Sequence, residues 1–510
     1  MRKRFATAAI AALLGSCTAA PKADYSVVIR GGTIYDGSGA PGYVGDVALK
    51  DDKIVYVGPH APGRAAQVVD ASGKAVSPGF INMLSWANES LIEDGRGLSD
   101  TAQGVTLEVM GEGESMGPWT PQMKKLVVQR QTDIKYPIRW STLGQYLDWL
   151  TKKGITPNVA SFVGAATVRE NELGEKDIDP TPEQLTRMRA LVRDAMKEGA
   201  LGVGSSLIYA PASFAETPEL IALTQEAAKC GGMYISHIRS EDRTLLEAID
   251  ELVQISRKSG APAEIYHYKQ AGKKNWGKIG AAIDRVNKAR AAGLRITADM
   301  YTYPASSTGF DAVFPLWMQD GGVEAWIARL KDPKTRARAF AEMRGPNADE
   351  TYDILTKDPD KILLVGFATD KLKPLTGKTL GEVARERGKP PEEVAADLIV
   401  EDGTRIQVVY FEMDEANVKR EVALPWMSFG SDGDSEAPEG VFLKSSTHPR
   451  AYGNFARLLG KYVRDEKAVA LPDAIRRLTS LPATNLAIKD RGSLKPGYYA
   501  DVVIFDPATI

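Results

Sequence analysis

Two histidines each close an apolar run: His237 in "YISHIRSE" and His267 in "YHYKQAG". A neutral imidazole is the commonest metal ligand. At the carboxyl ends of successive parallel strands, two of them would face one spot. Such a pair either holds a zinc-type ion or is simply hydrogen-bonded at the rim, and spacing alone leaves both readings open. Asp432 ends a later apolar run in "MSFGSDGDSE". A carboxylate there can take a proton from water acidified by an ion, or it can cap a turn, because Ser-Asp-Gly-Asp is also turn chemistry. Asp434 lies beyond the run and ranks lower. A zinc site needs a third protein ligand. In "TLEVMGEGES" Glu112 lies between two glycines, which let the backbone turn sharply. Glu108 sits inside the run and Glu114 further out, so Glu112 is the candidate, with a solvated loop glutamate as the alternative. Of the other two histidines, His60 reads as a solvated turn residue and His448 follows the last run.

These residues need a scaffold that brings separate strand ends together. Apolar runs at 79–84, 105–110, 158–163, 202–206, 232–236, 262–266, 295–300 and 426–431 alternate with helical stretches. In one stretch Leu245, Ile249, Leu252 and Val253 share a face that Gly260 closes. In another Ile279, Ala282, Ile283, Val286 and Ala289 do so before Gly293. Eight strands with intervening helices predict an α/β fold, a (β/α)₈ barrel over 78–489 with its active site at the carboxyl ends of the strands. Residues 25–77 are β-branched runs broken by Gly and Asp turns and predict a small β domain, which the β-rich 490–510 would rejoin. The sequence stops after one such strand, so either that domain ends early or a C-terminal piece is missing. Residues 310–403 are too long for one connecting helix. They predict an insertion, largely helical, over the barrel mouth.

Apolar residues make up 43% of the chain and charged ones 25%, and the net charge is −2. Nothing there suits nucleic acid or an anionic membrane surface. "MRKRFATAAIAALLGSC" has a basic start and an apolar run too short to span a bilayer, so 1–24 reads as an export leader. "LLGSC" resembles a lipobox with Cys17 as the lipidated residue, the alternative being ordinary cleavage after "CTAA". The expected location is periplasmic or membrane-anchored. Cys230, the second of two cysteines, then has no disulfide partner and reads as a core residue.

The stretches "VIRGGTIYDGSGAPG", "QGVTLEVMGEG", "EGALGVGSSLIYAP", "YISHIRSE", "YHYKQAG", "ADMYTYPASST", "HPRAYGNFAR" and "RGSLKPGYYADVVIFDP" resemble the D-aminoacylase branch of the amidohydrolase superfamily, the N-acyl-D-amino-acid deacylases. The resemblance spans nearly the whole chain after the leader. It implies a barrel carried on a small β-sandwich built from both chain ends. It also implies a zinc site on the ends of strands two, five and six, and a catalytic Asp on strand eight. Here these positions are Glu112, where the family has Cys, then His237, His267 and Asp432. Replacing a soft thiolate by a hard carboxylate implies weaker zinc binding and tolerance of other divalent ions. Lys269, Tyr301, Ser307 and Arg450 fall on positions that hold the substrate carboxylate or polarise its carbonyl, with Tyr303 and Arg239 behind them. A Lys–Arg pair suits a carboxylate.

One departure stands out. In "PGFINMLSWANE" the family's Asp and His-x-His are replaced by Asn82, Leu84 and Trp86. Leu84 and Trp86 cannot ligate, so a single divalent ion, zinc by preference, is expected, with Trp86 on the pocket floor. The resemblance implies hydrolysis of an N-acyl-(D-)amino acid, a small amide bearing a carboxylate. Two alternatives are the same fold acting on a lactone, cyclic amide or dipeptide, and a binding protein on a decayed hydrolase fold. The sequence is silent on oligomeric state.

Overall fold

The computed structural model describes residues 23–346, 348 and 351–510. The leader and Cys17 lie outside the described residues.

The chain first forms β1 (Tyr25–Ile34), β2 (Tyr43–Lys50), β3 (Lys53–Gly58), β4 (Ala65–Asp70) and β5 (Ala75–Pro78). β1 is long enough to serve three partners. It pairs antiparallel with β2 along its length, parallel with β4 through its first half and parallel with β5 through its second, with an irregularity between Ile29 and Gly32. Instead of two separate sheets, one six-stranded sheet results, with a small apolar core on each face. Its last strand comes from the far end of the chain.

The barrel strands are β6 (Phe80–Asn82), β7 (Val105–Met110), β8 (Asn158–Ser161) continuing into β9 (Val163–Gly164), β10 (Gly202–Ser206), β11 (Met233–His237), β12 (Ala263–Ile265) and β13 (Ile296–Met300). All neighbours pair in parallel. The third strand position is split because β8 pairs with β7 and β9 with β10, so it changes partner at Phe162. Fully buried strands such as β10 and β11, together with amphipathic helices such as Leu245–Ser259, make the main core.

After Met300 the chain leaves the barrel. It builds an antiparallel sheet from β14 (Ser306–Gly309), β15 (Ile362–Gly366) and β16 (Gln407–Tyr410), packed against several helices. This module has its own core around Phe310, Trp326, Phe340, Leu364 and Leu398. The insertion is therefore wider than the expected 310–403, and it contains a sheet. The two strands outside 310–403, the edge strand in "PASSTG" and the central strand in "RIQVVYF", are too short to show alternation. Polar contacts tie its rim to the barrel: Lys373 Nζ donates to Asp133 at 2.9 and 3.0 Å, and Arg130 joins Glu324 and Glu175.

β17 (Met427–Phe429) re-enters beside β13, and the ring closes against β6. Met83 N donates to Phe429 O, Asp432 N donates to Leu84 O, and Ser85 bridges Gly433. β18 (Val502–Phe505) then pairs antiparallel with β5, tying the chain end to the small domain. Cys230 is exposed, not core: it follows the helix Thr217–Ala228 in the turn before β11.

Candidate metal centre and active site

The carboxyl ends of β7, β11, β12 and β17 open into one cavity of about 1290 Å³ roofed by the inserted module. Glu112 reaches it because the loop after β7 turns on two glycines. Gly111 (φ +106°) would drive a Cβ to within 2.5 Å of Phe162 O. Gly113 (φ +71°) would place one 1.9 Å from Ser206 Oγ. Both therefore need glycine, and together they fix where Glu112 points.

Glu112 Oε1 lies 3.2 Å from His237 Nδ1 and 2.9 Å from His267 Nε2, and all three residues are buried. Their donor atoms lie within 4.8 Å of one another. Tetrahedral zinc bonds of about 2.0 Å set ligand atoms about 3.3 Å apart, and a His₂Glu set is a known zinc donor set. Buried His237 Nε2 finds no hydrogen-bond partner among the described residues. The three residues thus fit a small divalent ion. Burial opposes charge on Glu112, but His267 and His237 outweigh it and hold the carboxyl far below its usual range.

The far side of the two imidazoles faces a residue that the sequence reading passed over. Glu241, four residues beyond His237, puts Oε1 3.0 Å from His267 Nδ1 and Oε2 3.6 Å from His237 Nε2. A carboxylate behind metal-binding histidines sets ring orientation and tautomer. The spacing His-x-x-x-Glu in "SHIRSE" was its only sequence signal. Lys269 Nζ donates to Glu241 Oε1 at 2.6 Å and lies 2.7 Å from His267 Nδ1. Its charge is already matched, so the expected free Lys269–Arg450 pair is not what the fold presents. His267 also has an unusual backbone, with φ +33°. Its N–H donates to Asp299 Oδ1 at 2.9 Å, which supports the strained conformation.

Asp432, at φ +49°, is likewise held in the left-handed region. Its Oδ2 pairs with Arg450 Nη1 at 2.8 Å, and its Oδ1 accepts from the Trp86 indole N–H at 3.1 Å. The same N–H reaches Glu112 Oε2, also at 3.1 Å. Burial pushes the Asp432 carboxyl up, against the pull of Arg450 and His267. Asp434 is pushed well above its usual range by burial and by Glu436.

Arg450 lies over the Tyr301 ring at 4.6 Å, and its Nη2 donates to Ser307 O at 3.1 Å. Ser307 contributes its carbonyl here, because its hydroxyl donates to Val408 O within the module sheet. Tyr301 presents its face to both Arg450 and Lys269, with its hydroxyl 3.6 Å from Met413 Sδ. Of the second-rank residues, Arg239 is spent on Glu251 and on the carbonyls of Ser213 and Ala215, and Tyr303 packs on His448. Leu84 is fully buried in the barrel interior, whereas Trp86 lines the cavity. Asn82 does not face the metal site. Its amide donates to Glu108 and Ser431, joining β6 to β7 and β17.

A barrel with its donor atoms converging at the carboxyl ends of its strands is the architecture of metal-dependent hydrolases. The chain belongs to the amidohydrolase family, whose profile matches residues 67–510. It is 31% identical over 490 residues to the N-acyl-D-aspartate deacylase of Alcaligenes xylosoxydans xylosoxydans, covering 95% of this chain and 86% of that one. The N-acyl-D-glutamate deacylase of Bordetella bronchiseptica, solved with zinc and a phosphonate mimic of the tetrahedral intermediate, superposes with a TM-score of 0.78. Its identity is 28%, with 95% of this chain and 91% of that one covered. A D-aminoacylase structure, described in terms of one-metal activation and second-metal attenuation of its binuclear centre, superposes with a TM-score of 0.76. Its identity is 29%, with coverages of 95% and 91%.

Proposed function

We propose that this chain hydrolyses the amide bond of N-acyl-D-amino acids, using one divalent ion, zinc by preference. The observation that carries this is the convergence of Glu112, His237 and His267 beside Asp432. The names of the relatives supply the substrate class. Glu112, His237 and His267 would hold the ion. When bound, the ion supplies Lewis acidity that polarises the scissile carbonyl and acidifies water. Asp432 accepts the proton of the attacking water and delivers it to the departing amine nitrogen. Arg450 braces Asp432 through Nη1, is steadied by the Tyr301 face and the Ser307 carbonyl, and is the cation at the cavity wall that would meet the substrate carboxylate. Glu241 and Lys269 keep the imidazoles turned toward the ion.

The test is amine release by zinc-loaded protein from paired N-acyl-D- and N-acyl-L-amino acids, dipeptides and lactones. Preferential turnover of the D-amides supports the assignment. Turnover of lactones or dipeptides alone, or none despite bound zinc, overturns it. We further propose export with a lipid anchor on Cys17, from the leader sequence. Fatty-acid labelling that persists in Cys17→Ala would refute it.

A further inference from the structure

Trp86 occupies a position that its substitution for a metal ligand does not by itself explain. Its indole carries one N–H and no acceptor. That single N–H is shared between Glu112 Oε2 and Asp432 Oδ1, with the indole nitrogen 3.1 Å from each. The other oxygen of each carboxylate is committed elsewhere: Glu112 Oε1 to the two imidazoles, Asp432 Oδ2 to Arg450. Two buried carboxylates this close repel unless something of positive character stands between them. The backbone delivers the donor in register. Trp86 N donates to Gly433 O and Asp432 N donates to Leu84 O, so the ends of β6 and β17 carry indole and carboxylate on one zipped pair of chains.

We infer that Trp86 is a positioning residue, an uncharged donor that joins the metal-binding carboxylate to the proton-transfer carboxylate and fills the gap a second cation would need. The inference rests on the deacylase reading for the roles of Glu112 and Asp432. With its N–H in place, Glu112 keeps Oε1 toward the ion and Asp432 keeps one face toward the reacting water. The bulk of the ring closes the site to a second ion.

Trp86→Phe keeps an aromatic ring, though a smaller one, and removes the N–H. Zinc affinity by chelator competition should fall roughly 10- to 100-fold, the usual cost of losing a group that orients a metal ligand. The visible spectrum of the cobalt-loaded protein should shift, and kcat should fall with little change in KM. Unchanged zinc affinity together with an unchanged cobalt spectrum overturns the inference. Should the variant fail to fold, wild type titrated with excess zinc decides: saturation at one ion per chain supports the inference, and two ions overturn it. Affinity, spectrum and stoichiometry are read without substrate. A wild type that binds zinc yet cleaves no N-acyl-D-amino acid therefore refutes the proposed function and not this role of Trp86.

Discussion

Glu108 and Glu112 stand four residues apart at the end of one strand, both buried, and they behave as opposite chemicals. Glu112 faces two imidazoles that prefer it charged, and its carboxyl is held far below the usual range. Glu108 faces Asn82, Ser85 and a second acid, Asp100, with no cation beside it. Burial pushes Glu108 up to about 7, against hydrogen bonds from Ser85, Asp100 and Asn82. Asp100 is driven well above its usual range by burial and by Glu108. Burial and mutual repulsion favour protons on this pair, whereas Glu112 is held as an anion. Residue type and burial are common to both, so the partners make the difference.

The contrast is sharpest in substitutions. Glu112→Ala should lose stoichiometric zinc and reduce amide hydrolysis by about 10³-fold or more, because the ion's Lewis acidity is worth several kcal/mol. Metal analysis and kinetics on the purified variant check both. Asp432→Asn should retain zinc and lower kcat by about 10²- to 10⁴-fold, the range for a lost acid–base group. Full activity with zinc bound would remove Asp432 from the proton path.

The metal side should also respond to pH. In the ion-free protein burial and Lys269 oppose charge on His267, but Glu241 and Glu112 prevail and push it up to about 10. An ion must displace that proton, so below that pH apparent zinc affinity should rise with pH by about tenfold per unit. A flat calorimetric profile between pH 6 and 9 would break the account.

Glu108→Gln, by contrast, should change kcat/KM little, since Glu108 faces Asn82, Ser85 and Asp100 and lies outside the metal cluster. Its signature is in stability. The folded protein holds the Glu108 proton up to about 7, above the ordinary 4.5, so this contribution is complete below 4.5 and is lost as pH rises toward 7. The variant should lose less stability than wild type across that window in denaturant titrations at fixed ionic strength. An equal slope would place the proton elsewhere.

How much of this was legible in the sequence follows the same division. His237, His267 and Asp432 each end an apolar run, and a parallel barrel converts strand ends into a common focus, so their convergence could be read from order alone. Glu112 was legible because its flanking glycines mark a forced turn. Glu241 was not: a carboxylate on a loop becomes a partner of both imidazoles only once the loop folds back. Lys269 has the charge expected of a carboxylate receptor, but Glu241 takes that charge up. The pairing of Asp432 with Arg450, and the indole set between two carboxylates, are contacts between distant strands that no local pattern announces. Strand positions survived because β-branched apolar runs are short and bounded. The module's sheet did not show, because its strands are four or five residues long and β14 is almost wholly polar. Cys230 was misplaced for a related reason: a helix–strand turn puts its residue outward even between two buried elements.

The guanidinium of Arg450 grips Asp432 with one nitrogen and the carbonyl of Ser307, on β14, with another. β14 is the strand by which the inserted module leaves the barrel, so this contact joins the roof directly to Asp432. A shift of the roof is thereby a shift of the Arg450 fork, and Asp432, the carboxylate proposed to move the proton, loses its brace in the same motion. Exchange of one roof for another among related barrels, even with every metal ligand untouched, would retune the proton-transfer step along with the shape of the chamber.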